Sequence, residues 1–314
     1  MSLYGLRTCM AKIWPKIYYK DTLVDSDKAN IHIASSAVLY GLSVYTVFPI
    51  NKISKDFYVF RMEQHLERLQ NSAKIIGLEL PKECQDVKSF LRVVKDLVKE
   101  NKLSESVFAR ATIHVDALVA GTKSKGLSSI LSIFLYEAKS IVPQDGARLK
   151  VSPWRRNPDF CIPSRAKVNG GYVNSVLAKQ DAIDSGYDDA ILLDINGQVS
   201  ELSAANIFLV RGGKIITPGT AVDILEGINR LTLLEIAKQE KIEVVERAVD
   251  MTELYIADEV FACGTSAFVA PVINIDGRKI GTGEIGEITK KLKGRMQNLQ
   301  LNKDRLSKNF LTKI

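Results

Sequence analysis

The sequence predicts an α+β chain built as two domains, and three observations carry that expectation. Strand-like alternation and helix-like stripes both recur along the chain. Tight-turn signals between neighbouring strands outnumber strand–helix–strand crossovers, which favours mostly antiparallel pairing. The stretch 138–146 holds Pro143, Asp145 and Gly146, breaks the pattern and reads as a linker. It divides the chain into an N-terminal domain over 1–138, a linker over 139–146 and a C-terminal domain over 147–314.

The first domain opens with strands over 17–24 and 31–47, split by the polar turn 25–30. A helix follows because Met62, Leu66, Leu69, Ala73 and Ile76 fall on one stripe, and Gly77 can end it in a left-handed conformation. A second helix over 87–100 leads to alternating strands at 107–115 and 129–136, around the polar turn 121–126.

In the second domain a helix is expected over 170–185, stopped at Gly186. The strand 190–194 runs into Asn196-Gly197, the strongest short hairpin signal in the chain. The next strand reaches Val210, and Gly212-Gly213 turns it into 214–217. A helix begins near Ile228, followed by a strand over 242–249 and a short helix opened by Asp250 with Glu253 three residues later. A strand over 259–263 comes next, and Ile285, Ile288, Leu292, Met296 and Leu299 mark a C-terminal helix. The GxGxxG run from Gly281 to Gly286 reads as a turn, since no clear strand follows its helix to complete a βαβ unit.

With 46% hydrophobic and 25% charged residues over 314 positions, the composition is that of a globular protein, not a disordered or fibrous one. No apolar run approaches the roughly 18 residues of a membrane span, so no membrane partner is expected. The start, MSLYGLRTCMAKIWPK, shows no secretory leader; its lack of acidic residues leaves an organelle-targeting reading open. Cys9, Cys84, Cys161 and Cys263 lie far apart, which suits free thiols and a cytoplasmic protein. The net charge of +7 is accounted for between Arg278 and Ile314, where ten Lys or Arg face three Asp or Glu. A basic outer face on a packed helix explains that excess, so no nucleic-acid partner is expected.

Several chemistries lack their motifs. His32, His65 and His114 are not spaced for an HExxH zinc site, and neither a GxxxxGK[ST] loop nor a GxSxG elbow occurs. Lys167 is distinctive by context: it follows a Pro-containing extended stretch and precedes a glycine-containing loop that starts a helix. Taken alone, a lysine there is most simply a solvated surface charge.

Four segments change that reading: the run from Trp154 through Ile162-Pro163, Lys167 and Tyr172; GQVSELSAANIFLV; DILEGINRLTLLEIA; and YIADEVFACGTSAFVAPV. In order and spacing they resemble the class IV aminotransferases of branched-chain type, over about Ile17 to Gly281. The resemblance implies a two-domain fold type IV (D-amino acid aminotransferase-like) enzyme with pyridoxal 5'-phosphate as cofactor. Lys167 matches the Schiff-base lysine, whose amine must be neutral to attack an aldehyde. Glu201 matches the acid facing the pyridine nitrogen. Arg68 matches the phosphate-binding arginine, although on its helix it lies about 100° from the stripe residue Leu69.

Ile228 and Asn229 match positions whose backbone amides hold the phosphate at a helix N-terminus. The family often has Thr where Asn229 stands, which puts a hydroxyl contact in question. Thr265 matches a hydroxyl that also reaches the phosphate, and Ser266 and Ala267 match amides offered to the substrate carboxylate. Tyr172, Tyr40 and Tyr45 match aromatic positions around the cofactor and substrate side chain. Arg110, two residues after Phe108, matches the arginine of a Tyr-x-Arg pair that binds carboxylates, with Phe in place of Tyr. The family pattern Phe-Glu-Gly reads Tyr45-Thr46-Val47 here, so the substrate pocket departs from it.

The implied reaction moves an amino group between a branched-chain or other neutral L-amino acid and 2-oxoglutarate by a ping-pong mechanism. The partners are then small amino and 2-oxo acids and a second copy of the chain in a homodimer or larger assembly. An aminodeoxychorismate lyase-type enzyme and a D-amino acid transaminase are the alternatives on the same fold.

Overall fold

The computed structural model describes residues 11–314, so Cys9 and most of the possible leader lie outside the described residues. A seven-stranded sheet is formed by β1 (Lys16–Tyr19), β2 (Thr22–Asp25), β3 (Ser43–Ile53), β4 (Asp56–Phe60), β5 (Val107–Val115), β6 (Ser129–Glu137) and the chain's last strand, β16 (Leu311–Lys313). Its order is β16-β4-β3-β5-β6-β1-β2, with every pair antiparallel. Helices α2 (Met62–Ile76) and α3 (Val87–Glu100) bury their apolar stripes against it, around Phe48, Leu66, Leu69, Phe90 and Leu97. Each such fully buried side chain contributes about 2 kcal/mol by removing apolar surface from water.

The strand expected over 31–47 is in fact two elements. Ser35 accepts a hydrogen bond from Val38 N and starts the short helix α1 (Ser36–Tyr40), and Gly41 at φ 64° closes it. Strand β3 begins only at Ser43 and continues to Ile53, where it turns into β4, a hairpin that the alternation did not reveal.

The second sheet contains β7 (Ala147–Arg155), β8 (Asp189–Leu193), β9 (Val199–Leu202), β10 (Asn206–Arg211), β11 (Lys214–Thr217), β12 (Val244–Glu246), β13 (Glu259–Gly264), β14 (Phe268–Ile275) and β15 (Arg278–Lys279). The order is β12-β11-β10-β13-β14-β7-β8-β9, with β15 on β14. Pairs β11–β12, β14–β7 and β7–β8 are parallel and the sheet's other five pairs antiparallel, so this sheet is mixed while the pairing over both sheets is mostly antiparallel, as expected. Helices α4 (Tyr172–Asp184) and α5 (Ile228–Gln239) are the crossovers that joining β7 to β8 and β11 to β12 in parallel requires. The strand expected over 242–249 shrinks to three residues, and the short helix expected after Asp250 is a 3-10 helix over Met251–Ile256 with Asp250 as N-cap but no side-chain capping bond. Glu253 pairs instead with Arg211 and Arg247.

Helix α6 (Glu287–Gln300) buries Leu292, Met296 and Leu299 against Leu233 and Ile236 of α5. Its basic face is largely ion-paired: Lys291 and Arg295 with Glu240, Arg295 with Asp304, Lys290 with Glu287. Residues 281–286 form a turn, and Glu259 accepts from the amides of Ile288 and Thr289 at the start of α6.

The chain's end departs from the expected division at 146. Strand β16 leaves the second half and pairs with β4, setting Leu311 opposite Phe60. Arg61 secures the return: its backbone N–H donates to Phe310 O, its guanidinium lies 4.2 Å from the Phe310 ring and its side chain pairs with Glu235 of α5. Among the described residues no helix is long and apolar enough to cross a membrane.

Candidate active site

A cleft between the two sheets is lined from both, by Tyr45, Arg68 and Arg110 on one side and Glu201, Ile228 and Thr265 on the other. The segment before α4 enters it. Tyr45 N donates to Lys167 O at 3.0 Å, Lys167 N to Ser72 Oγ at 3.0 Å and Asn169 N to Ser43 O at 2.9 Å. A side chain on Gly41 would place its Cβ 2.8 Å from Gly170 Cα, so glycine there lets the two backbones touch. These contacts fix Lys167 to β3 and α2 by its backbone and leave its amine to the cleft.

Lys167 Nζ lies 2.5 Å from the Tyr172 hydroxyl at the start of α4. Burial pushes the Lys167 amine below the usual lysine value, and Arg68 pushes the same way against the opposing influence of Tyr172. Burial raises the Tyr172 phenol, yet the Lys167 charge and hydrogen bonds from Lys167 and Tyr45 bring it below its ordinary value. Tyr45 packs edge-on against Tyr172, ring centroids 5.3 Å apart, and burial holds its own phenol well above 10.0.

Glu201, on β9, is 6% exposed and met by three donors. Its Oε2 accepts from Asn206 Nδ2 at 3.0 Å and Leu225 N at 3.1 Å, and its Oε1 lies 3.0 Å from Arg156 Nη2. Burial raises the carboxyl above the ordinary glutamate value, with Arg156 the strongest influence holding it down.

Arg68 leaves the α2 stripe as its phase requires, but the second half of the molecule covers that flank. Its guanidinium donates to Glu226 O at 3.3 Å and Thr46 Oγ1 at 3.4 Å, and its buried Nε has no partner. Among the described residues no carboxylate pairs with it. Opposite stands the N-terminus of α5, uncapped by any side chain, with Ile228 and Asn229 in the lining. Thr265 and Ser266, on the turn from β13 to β14, complete that end. Asn229 Nδ2 donates to Gly264 O at 3.0 Å, so its side chain ties α5 to β13 where the family often has a hydroxyl.

The residues fit pyridoxal phosphate. An arginine with a free donor, an uncapped helix start and a threonine suit a phosphate. A buried amine pushed toward neutrality suits an aldehyde, and an oriented carboxylate suits a protonated ring nitrogen.

Two expected residues fall outside the cleft lining. Tyr40 ends α1, turned outward beyond Gly41, and is 46% exposed and outside the cleft lining. Ala267 is fully buried behind Ser266, also outside the lining, and its carbonyl accepts from Gln144 at 2.9 Å. The structure adds Arg156 and Asn206 beside Glu201, Thr46 beside Arg68, Asn169 beside Arg110, and Val47 and Tyr136 in the wall. For Arg156 the only sequence signal is the doublet Arg155-Arg156 after Trp154, of which the second residue turns inward and the first stays exposed.

Comparison with known proteins identifies the family. Residues 43–275 match the family described as amino-transferase class IV. A probable branched-chain-amino-acid aminotransferase of Aquifex aeolicus is 38% identical over 301 residues, 95% of this chain and 96% of that one. The crystal structure of the branched-chain aminotransferase from Thermoproteus uzoniensis with norvaline superposes with a TM-score of 0.91 at 33% identity, covering 96% of this chain and 99% of that one. The T.th. branched-chain amino acid aminotransferase, complexed with N-(5'-phosphopyridoxyl)-L-glutamate, gives 0.86 at 32% identity, covering 95% and 98%. The chain belongs to the class IV aminotransferases and is a pyridoxal-phosphate-dependent transaminase.

Proposed function

We propose that this enzyme moves an amino group between a branched-chain or other neutral L-amino acid and 2-oxoglutarate, the two substrates taking turns in one cleft. The observation that carries the proposal is the pairing of an apolar wall with the Arg110 guanidinium, which has no carboxylate partner among the described residues. Tyr45, Val47 and Phe108 cluster with Tyr136, Tyr172 and Phe268, which suits an uncharged side chain. Arg110 lines the same cleft without a carboxylate partner among the described residues, which suits the second carboxylate of glutamate or 2-oxoglutarate. One lysine serving both substrates supports the ping-pong order.

Pyridoxal phosphate, when bound, supplies an aldehyde carbon and a ring that withdraws electrons from the substrate α-carbon. Lys167 is the amine in reach, first as nucleophile and then as the base that moves the α-proton. Tyr172 holds that amine at 2.5 Å. Glu201 would keep a proton on the ring nitrogen, and Arg68, Thr265 and the first amides of α5 would hold the phosphate. Ser266, in the cleft lining, would offer its amide to the substrate carboxylate. The aromatic wall excludes water around the reacting carbon.

The two halves serve as domains on either side of a linker over 139–146, with β16 as the exception. A homodimer completes the assembly. Ile33, Val38, Leu39, Tyr40, Leu118 and Val119 are all exposed, and Val119 N donates to Ala34 O, so these apolar residues form one patch suited to a second copy. The free thiols of Cys84, Cys161 and Cys263 suit the cytoplasm.

Initial rates with L-leucine and 2-oxoglutarate test the reading. Parallel double-reciprocal lines, with formation of 4-methyl-2-oxopentanoate and glutamate, are expected. Release of pyruvate from aminodeoxychorismate, or reaction with D-amino acids only, would contradict it.

A further inference from the structure

Arg110 is held from two sides. Its guanidinium carbon lies 3.6 Å from the centroid of the Tyr45 ring, and its Nη2 donates to Asn169 Oδ1. Asn169 is fixed in turn, since its Nδ2 donates to Ser43 Oγ at 2.8 Å and its backbone N to Ser43 O at 2.9 Å. With the amide nitrogen engaged by Ser43, the amide oxygen is the end that faces Arg110. Ser43 belongs to β3, Arg110 to β5 and Asn169 to the loop that carries Lys167. One amide therefore ties the guanidinium to the reacting centre.

The choice of amide matters for charge. A neutral acceptor fixes the guanidinium without cancelling its charge, whereas a carboxylate in the same place would cancel it. Among the described residues no acid pairs with Arg110. A guanidinium pinned flat on an aromatic face, with donors unused, is an arranged receptor for an incoming carboxylate.

We infer that Asn169 is a positioning residue that holds Arg110 as the receptor for the side-chain carboxylate of a dicarboxylic substrate, and so sets the preference between dicarboxylic and neutral amino acids. The inference rests on the reading that this cleft takes both classes. Freed from Asn169, the guanidinium must be ordered by the substrate itself, and that cost falls only on substrates with a second carboxylate.

Half-reaction kinetics of the holoenzyme with L-glutamate and with L-leucine test this in Asn169→Ala, Asn169→Asp and Arg110→Met. All three leave the backbone bonds to Ser43 and Lys167 in place, and the visible band of the bound cofactor reports that each variant folds. In Asn169→Ala the KM for L-glutamate relative to that for L-leucine is expected to rise about tenfold, the effect of one lost hydrogen bond to a charged group. Asn169→Asp is expected to raise the ratio further, because its carboxylate neutralises Arg110. Equal changes for both substrates, or an Asn169→Asp ratio no higher than that of Asn169→Ala, would overturn the inference. If Arg110→Met moves the ratio while neither Asn169 variant does, only the role of Asn169 falls. If Arg110→Met leaves the ratio unmoved, the dicarboxylate reading of Arg110 falls with it.

Discussion

Arg156 Nη2 lies 3.0 Å from Glu201 Oε1, a largely buried ion pair in the wall of the cleft. Burial alone pushes the Glu201 carboxyl up, and Arg156 is the strongest influence keeping it ionised. In the role proposed for Glu201 the carboxylate is the working form, and it is lost by protonation as the pH falls. Removing Arg156 raises the carboxyl further, so the acid limb of the kcat/KM profile in Arg156→Gln should move to higher pH. At neutral pH we expect a loss of about tenfold or more, as for breaking a buried charge pair, with partial recovery in Arg156→Lys. An unmoved acid limb would count against this role.

Val47 lines the cleft and packs in one cluster with Tyr45 and Phe108, the wall proposed to meet a substrate side chain. Val47→Ala should enlarge the cleft there. The ratio of kcat/KM for L-phenylalanine to that for L-valine is expected to rise about tenfold, the usual worth of one or two methyl groups in an apolar pocket. The cavity left in β3 should cost about 2 kcal/mol of stability. A ratio unchanged within error would place the side-chain pocket elsewhere.

Lys167 and Tyr172 share a short hydrogen bond, and Tyr172 is the main influence raising the lysine against burial. Uptake of pyridoxal phosphate by the apoenzyme needs the neutral amine, which forms as the pH rises through the lowered lysine value. Tyr172→Phe removes the raising influence, so the pH at half-maximal uptake rate should move down. Stopped-flow absorbance between pH 5 and 10, as a rough working range, measures it. A move upward would mean that Tyr172 acts mainly as a proton acceptor.

His114 sits on β5 with its Nε2 unpaired, and burial pulls its imidazole down from 6.5 to about 4. The unfolded chain therefore binds this proton first. The stability contributed by neutral His114 is present above pH 6.5 and is lost as the pH falls from there to about 4. The loss is on the order of 3 kcal/mol. His114→Gln should flatten the fall in Tm over that window, and a parallel fall in both proteins would show that other groups dominate.

Much of this architecture was legible because helix stripes announce what they bury. The α2 and α3 stripes did so, and Asn196-Gly197 gave the turn between β8 and β9. The helix in segment 31–42 is hidden in the sequence because five residues make too few turns for a period to show, and Ser35 with Gly41 are its only marks. Strand β16 was not legible, since its partner β4 lies some 250 residues earlier and three residues carry no pattern. In the site, Lys167, Glu201 and Thr265 were found through the resemblance. Arg68 would have been placed in solvent by helical phase, because a single helix does not reveal what covers its flank. Arg156, Thr46 and Asn169 act on other residues across the cleft, and such pairings leave no spacing in the sequence.

Every role proposed for the cleft depends on Lys167 binding pyridoxal phosphate and passing it to amino-acid substrates. The absorbance spectrum of the purified protein, taken with the cofactor and then with L-leucine or L-glutamate added separately, tests this most directly. The protein is expected to be yellow, with a visible band that bleaches with each amino acid and is missing from Lys167→Ala. A protein that takes up no cofactor, or a Lys167→Ala variant that keeps both the band and the bleaching, would contradict it.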